Sequence, residues 1–138
     1  MCVNKEKPLE FRTGKLSAEE VRLILDTIPI DITFVGKNDE VKYFNKPESR
    51  IFKRPTSVIG KKVQNCHPKK SLYKVQQILD EFRANKRETA EFWINLNSRM
   101  TYIRYFPVYD SLGSYTGCLE VTQDITDIKE IKGEKRLL

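Results

Sequence analysis

One histidine, one tryptophan and three cysteines stand among the 138 residues of the chain, and each scarcity removes a class of chemistry. Cys2, Cys66 and Cys118 are odd in number and widely spaced, so they form neither a disulfide framework nor a zinc knuckle. Free thiols in a reducing compartment are expected. Cys66 and His67 are adjacent, with no second Cys or His at ligand spacing, so zinc is not expected. No apolar run approaches the roughly 20 residues of a membrane span. No apolar segment follows the basic residues of the N-terminus, so neither membrane insertion nor secretion is expected, and the location read is cytoplasmic. A Gly-rich phosphate loop, a carboxylate pair at acid–base spacing and a nucleophile with an orienting partner are all missing, and enzymatic activity is not expected.

What is present is a soluble composition of one-domain length, 39% hydrophobic and 32% charged. The net charge of +6 arises from 25 basic and 19 acidic residues that are interleaved, with no more than two Lys or Arg in a row. That pattern is a solvated basic surface, and no nucleic-acid partner is expected.

Residues 1–16 are polar and aperiodic and read as a flexible leader. Ser17-Ala-Glu-Glu20 is a capping box ahead of Val21, Leu23, Ile24 and Leu25, predicting a helix that stops by Ile28 because Pro29 disfavours helical geometry before it. Ile30–Gly36 and Val41–Asn45 read as two strands around a Lys37–Glu40 turn. From Pro47 to Lys62 the pattern breaks into short helical turns, the kind of segment that lids a pocket. After Pro68, the apolar stripe of Leu72, Val75, Leu79 and Phe82 predicts one amphipathic helix over 68–84. Thr89–Asn97, Thr101–Tyr109 and Tyr115–Val121 are three further strands, the last two joined by a turn over Asp110–Gly113. Five strands flanking a helical middle, without βαβ alternation, make an α+β fold: one antiparallel sheet with helices on one face and the N-terminal helix outside it.

The exit of the last strand, Asp124-Ile125-Thr126, resembles the end of PAS sensor domains. So do Pro107-Val108-Tyr109-Asp110 before it, the Ile28-Pro29 step and Asn45 after the second strand. The resemblance covers 17–127, leaving 128–138 as a tail or linker. Asn65-Cys-His-Pro68 and Gly133-Glu-Lys-Arg136 resemble a prokaryotic PAS group found beside hemerythrin-like domains. It implies a sensory module of signal transduction with a cavity between sheet and helices.

Cys66-His67 is the one local cluster with reactive potential, set at the entrance of the long helix. The bland reading is that His67-Pro68 only starts that helix. A heme ligated by His67 is a candidate, although in heme-binding PAS domains the ligand tends to sit further along, where this chain has Val75, Gln76 and Leu79. Flavin is not expected. The likeness of Asn65-Cys66 to blue-light sensors stops after two residues, and Leu119 stands where their glutamine falls. A small organic ligand held by apolar walls and oriented by Tyr105 and His67 is the remaining option. Strand parity predicts that Phe92, Ile94, Ile103, Tyr105, Leu119 and Val121 face the long helix and line the cavity with Cys66, His67, Leu72, Val75 and Leu79.

The opposite face then carries Trp93, Tyr102, Arg104, Phe106 and Cys118, too aromatic to be left in water. The helix at 17–28 is expected to cover part of it and a second copy the rest, making a homodimer. In the tail, Ile128, Ile131 and Leu137 fall at roughly helical spacing, broken by Gly133. Output is expected through the dimer and this tail. The alternative is a ligand-free module for protein–protein interaction, with a filled core.

Overall fold

The structure, a computed structural model, describes residues 7–138. Cys2 and the start of the expected leader lie outside the described residues. The rest of that leader holds two short strands. Strand β1 (Leu9–Phe11) pairs antiparallel with β2 (Gly14–Leu16), Leu9 opposite Leu16, and Lys15 Nζ stands 3.5 Å from Glu10 Oε1 across the pair. Where an aperiodic leader is expected, 9–16 thus forms a short hairpin. Its strands have only three residues each, too short for a period of two to register as alternation.

Helix α1 (Ala18–Thr27) begins at the capping box, where Ser17 Oγ accepts from Glu20 N at 3.0 Å and Glu20 Oε1 accepts from Ser17 N at 2.9 Å. It ends at Ile28, before Pro29, as expected. Strands β3 (Asp31–Gly36) and β4 (Val41–Phe44) form the next hairpin.

The chain leaving β4 is fixed by buried polar side chains. Asn45 Oδ1 accepts from Ile32 N at 2.7 Å, while its Nδ2 donates to Leu25 O at 2.6 Å and Ile30 O at 3.1 Å. Arg50 donates to Ile32 O, Asn45 O and Phe52 O at 2.9–3.0 Å and to Thr33 Oγ1 at 3.0 Å. These bonds tie the chain leaving β4 to α1 and β3 through backbone carbonyls. Two single turns of 3₁₀ helix follow, Thr56–Val58 inside the segment where the broken pattern predicts such turns and Val63–Cys66 beyond its expected end at Lys62.

Helix α2 (Lys69–Arg83) lies on the sheet through Val75, Ile78, Leu79 and the fully buried Phe82, with Val35, Val41, Val63 and Ala90 completing the core. Strands β5 (Ala90–Leu96) and β6 (Arg99–Tyr109) meet at Asn97-Ser98, both at positive φ, the two-residue turn that matches the twist of paired strands. Strand β7 (Tyr115–Asp124) returns to the centre, and the order β4-β3-β7-β6-β5 is antiparallel throughout. The fold is α+β and PAS-like, as expected.

Register decides which side chains face α2. Val35 lies opposite Cys118, and Glu120 is flanked by Thr33 and Tyr105. Val35, Cys118 and Tyr105 pack in the core with α2. Ile32, Phe34, Leu119, Val121, Arg104 and Phe106 therefore share the outer face. The expected orientations of Leu119, Val121 and Cys118 are thus reversed. Apolarity alone assigns Leu119 and Val121 inward, but the outer face is equally apolar, and the inner face accepts Glu120 because Arg54 reaches it.

Candidate functional site

Between α2 and the inner sheet face, Val35, Val63, Val75, Ile78 and Leu79 form apolar walls. His67, Tyr105, Cys118 and Glu120 supply the polar lining. The free volume is about 20 Å³, room for a single water. A groove of about 240 Å³ between α2 and β5 shares His67, Val75, Ile78 and Tyr105 with this cavity and adds Ser71, Lys74 and Phe92. The cavity and the groove thus share a wall of four residues.

Its most costly residue is Glu120, whose side chain is 7% exposed. Arg54, 12% exposed and carried by the segment after β4, donates from Nη2 to Glu120 Oε2 at 3.0 Å. Arg54 Nε is buried with no partner. A buried ion pair gains little net stability over apolar residues of the same volume, yet losing one partner is expensive. It fastens the Pro47–Lys62 segment to the central strand.

Burial holds the neighbouring groups neutral. The Tyr105 hydroxyl is pushed well above its ordinary value, first by desolvation and then by the Glu120 charge. Burial likewise pushes the Cys118 thiol up to about 12, with Glu120 adding to the effect. His67 is lowered by burial, which outweighs the opposing pull of Glu120. A protonated thiol is a weak nucleophile.

Among the residues expected in the cavity, His67, Val75, Leu79 and Tyr105 come together there, and Phe92, 39% exposed, joins at the groove. Leu72 and Ile103 are half-buried and line neither space. Ile94 has the inward parity but sits on the edge strand, where it is 42% exposed. Cys66 opens instead on a separate surface depression with Lys53, Arg54 and Asn65. Its neighbour His67 takes the cavity side because the chain turns from a 3₁₀ turn into α2 at Pro68. Leu119 and Val121 point away. Sequence reading missed Glu120, Arg54, Cys118, Val35, Val63 and Ile78; a carboxylate inside Leu119-Glu120-Val121 was the available signal.

Ligand pockets run to about 300–1,000 Å³, so a porphyrin or flavin does not fit the inner cavity as packed. Among the described residues no group of three or more His, Cys, Asp or Glu is arranged to hold a metal ion.

On the outer face Trp93 is 62% exposed and lies opposite Tyr102. The Arg104 guanidinium sits 4.9 Å from the Tyr102 ring centroid and 5.5 Å from that of Phe106, and its Nε is buried without a partner. Helix α1, expected to cover part of this face, buries none of its residues, and Leu23 and Ile24 stay exposed.

The exit from β7 is tightly bonded. Asp124 Oδ1 accepts from Thr126 N at 2.9 Å and Thr126 Oγ1 at 2.7 Å, while Arg99 Nε donates to Asp124 Oδ2 at 2.8 Å. Thr126 Oγ1 in turn accepts from Met100 N at 2.7 Å. Beyond it, a 3₁₀ turn at Ile128–Glu130 is the last regular element, and Ile131 and Leu137 are exposed instead of continuing a helix.

A five-stranded antiparallel sheet with α2 across one face and a cavity beneath it defines a sensor-type α+β domain. A family model described as PAS domain matches residues 21–126, and the chain belongs to the PAS domain family. A crystal structure of a C-terminal domain from Streptococcus mutans is 34% identical over 94% of this chain and 100% of that one, with a TM-score of 0.85. The PAS domain of Bordetella pertussis BvgS is 22% identical over 81% of this chain and 88% of that one, TM-score 0.59. A sensory box sensor histidine kinase from Vibrio cholerae is 13% identical over 77% and 89%, TM-score 0.55. The last two show the fold alone. No curated protein matches the chain. No helix among the described residues is long and apolar enough to cross a membrane.

Proposed function

We propose that this PAS domain is a sensory module of signal transduction that binds a small ligand between α2 and the inner sheet face. It passes the change on through the outer face and the segment after Thr126. The observation that carries the proposal is the set of polar groups, the buried Glu120 and the half-buried Tyr105 and His67, lining an apolar-walled cavity that shares a wall with the groove. Similar folds in a Vibrio cholerae sensory box sensor histidine kinase and in histidine kinase ThkA support a signalling context. Binding to one arrangement of α2 better than another shifts its population, and Arg54 carries that shift to the Pro47–Lys62 segment.

Output takes the form of a homodimer paired through Trp93, Tyr102, Arg104 and Phe106, whose aromatic surface favours a partner. The proposal assigns the module no catalytic step and places it in a reducing, cytoplasmic compartment.

A second reading, a ligand-free interaction module, is favoured by one fact: the inner cavity is closed to about 20 Å³. A thermal-shift screen against a metabolite library separates the two. A ligand at a hundred times its Kd stabilises the folded state by about 2.7 kcal/mol. A dose-dependent rise in Tm supports the sensor, and a Tm indifferent to every compound supports the interaction module.

A further inference from the structure

The polar groups of the cavity have a definite hydrogen-bonding bias. Arg54 donates only to Oε2 of Glu120; among the described residues nothing donates to Oε1, and no hydrogen bond engages the Tyr105 hydroxyl or the His67 ring. Tyr105 and Glu120 are directly opposed across β6 and β7, on the face that α2 covers. A carboxylate only accepts hydrogen bonds, and a fixed carboxylate lining a space with apolar walls selects for a donor. Arg54 already balances the charge of Glu120, so the ligand itself need carry none.

Resting on the cavity as the sensory site, we infer that its ligand is a small, uncharged, largely apolar ring bearing an N–H or O–H donor, which bonds Glu120 while the ring enters the groove beside Val75 and Ile78. Burial keeps Tyr105 and His67 neutral, so neither adds a charge that such a ligand would have to offset. The groove's 240 Å³ matches a molecule of one or two fused rings rather than a larger cofactor.

The test uses the whole chain and three probes: indole, 1-methylindole and 3-methylindole. The N-methyl compound lacks the donor; the 3-methyl compound has the same added volume and keeps it. Amide chemical shifts are followed by NMR during millimolar titrations. The expected result is that indole and 3-methylindole perturb Val75, Ile78, Tyr105 and Glu120, while 1-methylindole binds about tenfold more weakly, the loss of a hydrogen bond to a charged group. Equal binding of all three at these amides overturns the donor preference and leaves the sensory site standing. Absence of shifts at these amides with every probe overturns both.

Discussion

Removing Arg54 is the sharpest perturbation of this fold. Arg54→Met strips the sole hydrogen-bond donor found among the described residues from a carboxylate that is 7% exposed, leaving the Glu120 charge unpaired beneath α2. Breaking a buried pair on one side costs about 3–5 kcal/mol. For a chain of this size that is about 10–20 °C in Tm. Glu120→Leu strands the guanidinium instead, and costs less because Arg54 is the more exposed partner at 12% and its long side chain can move to solvent. The double variant Arg54→Met/Glu120→Leu removes both charges and fills the volume with apolar atoms, so it is expected within about 1 kcal/mol of the parent, or above it. Urea denaturation of the four proteins closes the cycle. Additive losses, with the double variant the least stable of the four, would refute the claim that the pair is a coupled buried unit.

Gly117 faces Gly36 across β3 and β7, and a Cβ there would meet the Val35 carbonyl and lie 2.8 Å from the Phe34 ring; Gly117→Ala is expected to cost about 1–3 kcal/mol by denaturation, and an unchanged midpoint would contradict the register. Because burial lowers the His67 pKa, stability is level above the unfolded value of about 6.5 and declines as pH falls below it, where the unfolded chain takes the proton first. His67→Gln should flatten that decline between pH 7.5 and pH 5, and an identical slope would show that His67 is not the group responsible. Ser17→Ala should cost about 1 kcal/mol, seen as faster amide exchange confined to α1, because the capping box ties only the first turn of a helix with no buried residue. Trp93→Glu should convert a homodimer to monomer in light scattering; a parent protein already monomeric at micromolar concentration would end the proposed pairing.

The order of elements was legible because its signals are local: the capping box at Ser17, Pro29 after α1, and the stripe of Leu72, Val75, Leu79 and Phe82 on α2. The short β1–β2 hairpin was not, since three-residue strands give no period. The site was half legible. His67, Val75, Leu79 and Tyr105 followed from the helix entrance, the helix stripe and strand parity, but the phase of β7 did not follow from its sequence. Thr116 to Val121 is amphipathic under neither assignment once both sheet faces are apolar, and the irregularity at Val108/Tyr109 breaks the count carried over from β6. Glu120 is placed inward by a partner 66 residues earlier in the chain, and no local pattern can encode such a contact.

The most direct measurement of the central claim is amide hydrogen exchange across the whole chain, with and without the compound that raises Tm most in the screen. The account predicts added protection in α2, the Pro47–Cys66 segment and β5, with a further change at Asp124–Ile131, where the signal leaves the domain. Protection confined to the outer face around Trp93 and Tyr102, with α2 and the exit unchanged, would contradict it.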